Sequence, residues 1–482
     1  MTKKNVFITT AIDYTNDVIH IGQAYEKILA DCVARYYRLK LGDSGNGEKV
    51  YFLTGTDEHG TTNEKAARAR NLEPIAHVNE ISTKDKEQID SLNISYNRFI
   101  RTTDEDHKKV VTEFLNKALQ TGDVYKSKYV GYYCEGCESH KTLSELNENK
   151  QCPLHLTRQI QELEEDNYFF KWSKYVDFLK DLIKNSPEFI LPAGKQNEML
   201  AFLEKGLNDI PISRPFTKVP WGIPVPGDEE QVVYVWYDAL VNYYTAGIQN
   251  GFWNEETKII HFVGKDVVRF HTLLWPAMLK NVNYHLPDTV YVHGFINLNG
   301  EKISKSRGNV IRPSELVEQF GVDAVRYFFL KHGPITEDVS ISVEHLREVY
   351  NADLANGLGN TVARIAKLAE KSGLEFTEHT INQEEALGET FEVFFRFNDF
   401  RVDLVLQKIW EKLAELDKHV NGNEPWKITD EQKLKEVLDY EVNQIRNVAR
   451  WIEPFIPNTA LKIQKQFSSN VIKTNAVLFP RL

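Results

Sequence analysis

Strand-like and helical patterns alternate along the beginning of the chain, and this alternation restricts the fold more than any other feature. Val6–Ile12, Lys49–Gly55 and Tyr96–Thr103 are short runs rich in β-branched and aromatic residues. Helical patterns lie between them, over Gly22–Leu39 and in the region that ends at Asp90. Strands that alternate with helices in this way form βαβ units around a parallel sheet. The sequence therefore predicts an α/β fold.

The alternation stops at about Glu113 and resumes beyond Val219. It resumes with strand-like Thr257–Gly264, a helical pattern over Val267–Leu279 and strand-like Thr289–Ile296. One Rossmann-like domain that carries an insertion explains this order. After residue 343 the apolar spacing becomes i, i+3, i+4, which predicts an all-α helix bundle. The predicted parts are 1–114 and 219–295 (the two halves of the Rossmann-like domain), 115–218 (the insertion), 296–345 (a segment with a lysine-rich loop) and 346–482 (the bundle).

Composition excludes two broad classes of protein. Hydrophobic residues make up 42% of the 482 residues, but none of the apolar runs approaches the ~20 residues that span a bilayer. The N-terminal MTKKNVFITT lacks the apolar core of a signal peptide, so we expect a cytoplasmic protein. A net charge of −11 argues against a protein that coats nucleic acid through bulk charge. Local basic faces still permit a specific RNA contact.

Three of the four cysteines have the spacing of a metal site. Cys134-x-x-Cys137 and Cys152-x-x-His155 together supply three thiolates and an imidazole, which is a ligand set for one structural zinc ion (Zn²⁺). His140 is an alternative fourth ligand. The sequence therefore predicts a zinc knuckle inside the insertion.

The tetrapeptide HIGQ, His20 to Gln23, follows the first strand-like run and opens a predicted helix. A helix N-terminus presents unpaired N–H groups and a partial positive charge, so it suits a phosphate group. Gly22 lets a nucleotide approach the backbone, and His20 offers a hydrogen bond to a phosphoryl oxygen. By itself the tetrapeptide is a weak indication of a nucleotide site.

A second motif, KISKS, lies in the stretch GEKISKSRGN (300–309). Its Lys302 and Lys305, with Ser304 between them, form a cationic loop that can stabilise charge on a departing pyrophosphate. The chain contains neither GxxxxGK[ST] nor GxGxxG after a strand, so other phosphate-binding motifs are unsupported.

HIGQ near the start of a βαβ fold and KISKS near its end resemble the HIGH and KMSKS signatures of the class I aminoacyl-tRNA synthetases. Their order and separation fit that class. Four further stretches resemble one family within it, the methionyl-tRNA synthetases. These stretches are FLTGTDEHGT (52–61), SRPFTKVPWGIPVP (213–226), YVWYDALVNY (234–243) and HFVGKDVVRFHTLLWPAML (261–279).

The resemblance implies a pocket for methionine, whose polarisable thioether suits aromatic surroundings. The residues that match the family's pocket positions are Ile12, Tyr14, Trp236, Ala239, Tyr243 and His271. Asp57, at the end of a strand, is the carboxylate that we expect to bind the ammonium group. Two residues depart from the family pattern: Asp13 replaces a proline or aromatic residue, and Leu240 replaces a proline seen in some members.

The resemblance also implies an ATP site and a role for Mg²⁺ bound to ATP. We expect catalysis to depend on His20, Gln23, Lys302 and Lys305. The other residues expected near ATP are Gly22, Gly264, Asp266, His293, Gly294 and Ser304. Gln23 stands where the family has a second histidine, and an amide cannot carry a positive charge. We therefore expect phosphate stabilisation to depend more on His20, the helix N-terminus and the lysine loop.

The C-terminal helices resemble the anticodon-binding bundle of the same family. Asn356, Asn360 and Arg364 recur every four residues and so would share one helical face. Trp426, within NEPWK, offers a plane on which a base could stack. The expected partners are therefore tRNA(Met), methionine and ATP, and we expect a monomer.

The expected activity is the ligation of methionine to tRNA through methionyl-adenylate. Two alternatives remain open from the sequence. One is a class I synthetase for another amino acid, such as cysteine or leucine. The other is a tRNA-binding paralogue that has lost amino-acid activation, in which HIGQ would be a relic.

Overall fold

The structure is a computed structural model that describes residues 3–134, 139–141, 143–153, 160–303, 308–377 and 399–482. Its chain forms two compact units, each built from segments that are distant in sequence. The first unit comprises residues 1–19, 40–88 and 95–293. The second unit comprises residues 20–39, 89–94 and 294–482. The helix that begins in HIGQ thus belongs with the C-terminal half of the chain.

Strands and helices are numbered here in chain order. The described strands are β1 (Asn5–Thr10), β2 (Asp13–Tyr14), β3 (Val50–Asp57), β4 (Arg98–Arg101), β5 (Val124–Cys134), β6 (Ser139–Lys141), β7 (Ile160–Phe170), β8 (Ile190–Leu191), β9 (Ile210–Pro211), β10 (Ser213–Pro215), β11 (Pro224–Val225), β12 (Asp228–Val233), β13 (Thr257–Gly264), β14 (Thr289–His293), β15 (Ile296–Leu298), β16 (Glu301–Lys302) and β17 (Val339–Ile341). The described α-helices are α1 (Ile21–Leu41), α2 (Thr61–Ala69), α3 (Pro74–Ser91), α4 (Glu105–Gln120), α5 (Val176–Asn185), α6 (Ala193–Glu204), α7 (Val235–Gln249), α8 (Trp275–Asn281), α9 (Pro313–Phe320), α10 (Val322–His332), α11 (Val343–Val349), α12 (Asn360–Ser372), α13 (Val402–Asn423), α14 (Glu431–Trp451) and α15 (Pro457–Phe467). Phe270–Leu274 and Tyr350–Gly359 are π-helical.

A parallel sheet forms the centre of the first unit. Its strand order is β4–β3–β1–β13–β14–β8, and the short β2 pairs with the end of β3. Every residue of β3 and β14 is buried. Apolar runs of this kind suit parallel strands because both faces of such a sheet are covered. The predicted α/β fold with a parallel sheet is confirmed.

The segment between the two halves of this sheet is mostly antiparallel. β5 and β7 pair over their full length, from Val124 opposite Phe170 to Cys134 opposite Ile160. β6 and β9 extend that pair into a four-stranded sheet, and β10, β11 and β12 form a separate three-stranded sheet. The predicted division of the chain into domains, with an insertion over 115–218, stays a prediction.

The second unit is largely helical. α13 buries one stripe of apolar residues at i, i+3, i+4 spacing, which is the pattern of a helix packed on one face. The predicted helical C-terminal region is confirmed. Arg326 of α10, fully buried, pairs with Asp31 of α1 at 2.7 Å and also donates to the carbonyl oxygens of Phe455 (2.8 Å) and Leu92 (3.2 Å). These bonds connect three separate stretches of this unit.

Two predicted elements differ from the structure in detail. The helical pattern over 267–279 divides into a π-helical stretch and α8. The strand-like run over 289–296 divides into β14 and β15 at Gly294. Of the helices that the structure describes, none has the length and apolarity needed to cross a membrane.

Candidate active site

The carboxyl ends of the parallel strands define where a ligand would bind in the first unit. The chain runs from β1 to β3 and β4 on one side, whereas β13 and β14 lie on the other side of β1. Ligands of open α/β sheets bind outside the carboxyl ends at such a reversal of strand order. Asp57, Gly264 and His293 are the last residues of β3, β13 and β14. Three of the predicted site residues therefore lie along one edge of the sheet.

Asp57 is held firmly through its backbone. Its carbonyl oxygen accepts hydrogen bonds from the Thr15 N–H at 3.2 Å and from the Asn63 side-chain amide at 3.0 Å. The residue is 3% exposed. Tyr14 of β2 pairs with Asp57 in the sheet, which places this predicted pocket residue beside the predicted ammonium ligand. Asp13, the first departure from the family pattern, is buried in the same short strand.

Aromatic side chains are grouped around Trp236 at the start of α7. The Tyr14 ring meets Trp236 edge-on, with 6.3 Å between ring centroids. Phe270, by contrast, stacks face to face on Trp236, with 3.8 Å between the ring centroids and an interplanar angle of 2°. His271 lies edge-on to Trp236 at 6.5 Å. The structure thus brings together Tyr14, Trp236 and His271, three of the residues predicted to bind methionine.

Tyr243, two helical turns beyond Trp236, is linked to His271 by a hydrogen bond. The Tyr243 hydroxyl lies 2.8 Å from His271 Nε2, and His271 Nδ1 lies 3.0 Å from the Val267 carbonyl oxygen. A carbonyl oxygen only accepts, so Nδ1 donates to it. In a neutral His271 ring, Nε2 therefore accepts a hydrogen bond from the Tyr243 hydroxyl. On the other side Tyr243 packs on His261, whose ring centroid is 4.4 Å away. Burial, and the nearby His271, hold the pKa of His261 well below its usual value, so that ring is neutral.

The remaining two predicted pocket residues flank this group. Ala239 is buried on α7 between Trp236 and Tyr243. Ile12 is half-buried just after β1 and packs against the core of the first unit. All seven residues predicted to bind methionine therefore lie in the first unit, on elements around the carboxyl edge of the sheet.

HIGQ forms the N-terminal cap of α1 in the second unit. The His20 N–H donates to Gln23 Oε1 at 3.1 Å, and the Gly22 N–H donates to His20 Nδ1 at 3.1 Å. A glutamine that accepts from the cap residue three positions earlier is one half of a capping box. Because Nδ1 accepts, a neutral His20 carries its proton on Nε2. A Cβ at position 22 would lie 2.9 Å from the His20 ring, so glycine leaves the space that this ring occupies.

The beginning of the KISKS loop lies close to HIGQ within the same unit. Ile303, which is 6% exposed, reaches to 3.9 Å from the position of a Cβ on Gly22. A backbone hydrogen bond also joins the two segments: the Ile21 N–H donates to the Ile311 carbonyl oxygen at 3.0 Å. Lys302 ends β16. Ser304 and Lys305 lie outside the described residues.

The other residues predicted near ATP are at the ends of β13 and β14. Gly264 pairs with His293 in the sheet, and the Asp266 carboxylate folds back to 2.7 Å from the position of a Cβ on Gly264. Asp266 is exposed, whereas His293 is 5% exposed. In the second unit, a Cβ on Gly294 would lie 2.5 Å from the Glu337 backbone, so only glycine fits there.

The predicted zinc knuckle is only partly described. Cys134, at the end of β5, and Cys152 are both buried, at 0% and 1% exposure. Both thiols are thus shielded from water, as the thiolate ligands of a structural metal site would be. Cys137 and His155 lie outside the described residues. Within the described ranges, no group of three or more potential ligands is close enough to hold a metal ion.

The predicted anticodon residues lie in the second unit. Asn356 and Asn360 are exposed, and the Arg364 guanidinium lies 5.1 Å from the centre of the Trp426 ring. Trp426 is 50% exposed, which is unusual for a tryptophan and suits a base-stacking surface. Asn356 lies in the π-helical stretch before α12, which differs from the single α-helical face expected from its spacing.

Sequence reasoning missed a buried polar group next to Asp57 and the partner of Trp236. The missed residues are His59, His107, Asp238, Glu58 and Arg101, together with Phe270. His59 and Asp238 stand inside the stretches that carry the resemblance, but their positions are 179 residues apart. Periodicity and local motifs carry no information about such a contact.

A parallel sheet in the first unit, and in the second unit HIGQ at a helix N-terminus with Ile303 of KISKS close to it, are the features expected of a class I tRNA synthetase. The family model described as tRNA synthetases class I (M) matches residues 6–366. Methionine--tRNA ligase of Clostridium acetobutylicum is 39% identical over 97% of this chain and 74% of its own length. The corresponding enzyme of Thermosynechococcus vestitus is 38% identical over 98% of this chain and 92% of its own.

Solved structures agree with these sequence matches. Mycobacterium tuberculosis methionyl-tRNA synthetase in complex with methionyl-adenylate superposes with a TM-score of 0.89 and 33% identity, over 99% of this chain and 100% of that one. Its ligand-free form gives a TM-score of 0.82 and 30% identity, over 100% and 98%. The chain belongs to the methionyl family of the class I tRNA synthetases.

Proposed function

We infer that this chain activates methionine with ATP and transfers it to the 3′ end of tRNA(Met). The observation that carries this inference is that the seven residues predicted to bind methionine lie on elements around the carboxyl edge of the sheet, in a chain that belongs to this family. An acidic residue at a strand end and an aromatic group beside it match the two ends of a methionine molecule.

The first step would form methionyl-adenylate. An oxygen of the methionine carboxylate attacks the α-phosphorus of Mg²⁺-bound ATP, and the bond from that phosphorus to the bridging oxygen breaks, which releases pyrophosphate. Asp57 would bind the ammonium group and so position the carboxylate. Little covalent chemistry is required of the protein, which acts by positioning and by stabilising charge.

Charge on the phosphates would be stabilised by His20, Lys302 and Lys305. The cap geometry supports the role of His20, because its accepting Nδ1 leaves the proton of the neutral ring on Nε2. Gln23 supports this role indirectly through its bond to the His20 N–H. Gly264, Asp266, His293, Gly294 and Ser304 would complete the ATP site.

In the second step a ribose hydroxyl of the terminal adenosine attacks the carbonyl carbon of methionyl-adenylate. The anhydride bond breaks, AMP leaves, and the hydroxyl proton passes to the departing phosphate or to water. The cation–π pair of Arg364 and Trp426, with exposed Asn356 and Asn360, supports recognition of the anticodon at the other end of the tRNA.

Cys134, Cys137, Cys152 and His155 would hold one structural zinc ion. The burial of Cys134 and Cys152 supports this assignment. Such an ion would fix two short loops of the insertion and take no part in catalysis. A monomer in the cytoplasm remains the expected form and location of the protein.

Charging of tRNA transcripts tests this function. We expect a tRNA(Met) transcript to be charged with methionine, and the same transcript with a replaced anticodon to be charged far more slowly. Trp426→Ala should lower charging by roughly 10–100-fold, the value of one stacked base, and leave pyrophosphate exchange unchanged. Charging that ignores the anticodon, or equal loss in both assays, would contradict the assignment of this surface.

A further inference from the structure

A buried network of two histidines and one aspartate lies directly beside Asp57. Asp238 of α7 is fully buried, and each of its carboxylate oxygens meets one imidazole. Oδ2 lies 2.7 Å from His59 Nδ1, and Oδ1 lies 2.8 Å from His107 Nε2. His59 follows β3 and His107 lies in α4, so the network joins three elements of the first unit.

Hydrogen-bond directions place a proton between Asp238 and His107. The single hydroxyl proton of Thr245 is donated to the Val241 carbonyl oxygen at 3.0 Å, so the Thr245 oxygen accepts from His107 Nδ1, 3.0 Å away. His107 Nε2 then also donates if Asp238 is ionised. Burial opposes that ionisation, but His59 and His107 outweigh it, and the pKa of Asp238 lies below its ordinary value. The ionised Asp238 carboxylate therefore accepts a hydrogen bond from each of the two imidazoles in a buried network.

The network fixes a turn whose four residues, Asp57 to Gly60, are all held. His59 is bonded to Asp238, and its ring also contacts Trp221 at 5.4 Å. The Trp221 indole N–H donates to the Glu58 carbonyl oxygen at 2.6 Å. Gly60 has φ 96°, a conformation that favours glycine, and its N–H donates to the Trp221 carbonyl oxygen at 3.3 Å.

The Glu58 carboxylate is fixed as well, although it points to another set of partners. Arg101 donates to both of its oxygens, at 2.6 and 2.8 Å. His59 is thus tied to α7, whereas the neighbouring Glu58 is tied to β4. Asp57 is the last residue of β3 and the first residue of this turn, so its side-chain direction depends on how the turn is held.

We propose that Asp238, through His59 and His107, is a positioning residue that orients Asp57 toward the ammonium group of methionine. Asp238 also lies on α7 between Trp236 and Ala239, so a single helix carries both pocket residues and the support of the ammonium ligand. The proposal rests on the proposed function of Asp57. It adds a specificity element that contacts no substrate.

Methionine and an analogue without its amino group, 4-(methylthio)butanoate, separate positioning from general damage. In pyrophosphate exchange we expect Asp238→Asn to raise the KM for methionine about tenfold, because a misoriented Asp57 would weaken, but not lose, its charged hydrogen bond to the ammonium group. The Ki of the analogue should change less than about twofold, because the analogue has no ammonium group for Asp57 to bind. Asp123→Asn, which removes another buried carboxylate bonded to Lys174 and Tyr175, should leave both constants unchanged.

Two further variants keep the proposal open to refutation. His107→Gln retains a donor toward Asp238 and should give a smaller rise, again for methionine alone; this variant decides the matter if Asp238→Asn does not fold. An equal change for methionine and the analogue, or no change for either, would overturn the network. If Asp57→Asn itself leaves the methionine KM unchanged while exchange persists, the ammonium role fails and the network with it, but the activity stands.

Discussion

At the scale of single residues, the glutamine of HIGQ has a structural explanation. Gln23 Oε1 accepts from the His20 N–H, and His20 Nδ1 accepts from the Gly22 N–H. The two side chains together satisfy two of the N–H groups that a helix start leaves without backbone partners. A glutamine at this position therefore caps the helix start through the His20 N–H.

Gln23→His tests how much the rate of methionine activation is lowered by a glutamine where the family has a histidine. We expect the substitution to raise the rate of methionyl-adenylate formation by less than about a hundredfold, roughly 2.7 kcal/mol. The reason is that, under the proposed mechanism, phosphate stabilisation would come mainly from His20, the helix N-terminus and the lysine loop. Single-turnover measurement of adenylate formation checks this expectation. A larger increase would show that the glutamine is a defect and that these groups do not compensate for it.

Asp57→Asn tests the ammonium ligand. The amide has nearly the same shape, and the backbone bonds to Thr15 and Asn63 do not involve the side chain. Loss of a charged hydrogen bond in a buried site costs about 2–3 kcal/mol, so we expect the methionine KM to rise on the order of 30–150-fold. The KM for ATP should stay nearly constant. A parallel rise in both constants would argue that Asp57 supports the fold instead of binding methionine.

At the scale of elements, the packing of α13 on α14 contains an unusual carboxyl group. Glu441 of α14 is buried, and its Oε1 lies 3.1 Å from Nδ1 of His419 on α13. Burial raises the pKa of Glu441 to about 7, although Arg364 offsets part of this rise, and burial lowers the pKa of His419. Both groups thus favour their neutral forms between the two helices.

This pKa has a definite consequence for stability. An ordinary glutamate titrates at 4.5 and Glu441 at about 7, so the folded chain holds this proton more tightly than the unfolded chain. The resulting stabilisation is complete below pH 4.5 and is lost as the pH rises through 7. Glu441→Gln is always neutral, so we expect it to raise Tm at pH 8 by about 2–4 °C and to have little effect at pH 5.

Thermal unfolding at several pH values measures this difference. Glu436→Gln, on the same helix but exposed, is the matched control and should leave Tm unchanged at every pH. A gain in Tm at pH 5 that equals the gain at pH 8 would rule out titration of Glu441 as the cause.

At the scale of the whole molecule, local pattern was enough to predict the parallel sheet and the helical C-terminal region. The strand-like run over 257–264 coincides with β13, because buried parallel strands are rich in apolar and β-branched residues. The pattern could not predict that α1 belongs to the unit that contains residues 294–482. Nor could it find the bond from His59 to Asp238, because that bond depends on how distant segments meet.

The site was predictable to the extent that motifs carried it. HIGQ and KISKS were expected to act together, and Ile303 lies close to Gly22. The π-helical turn that brings Phe270 onto Trp236 has no local sequence pattern, since its residues read as an ordinary helix. The roles of the individual residues stay predictions that the substitutions above address.

Exchange of labelled pyrophosphate into ATP, measured with each amino acid in turn, tests the central claim most directly. We predict exchange that depends on methionine and is negligible with cysteine, leucine and the others. Exchange with a different amino acid would contradict the assignment of the pocket. No exchange with any amino acid, together with tight binding of tRNA, would show instead a tRNA-binding protein in which HIGQ marks a lost activity.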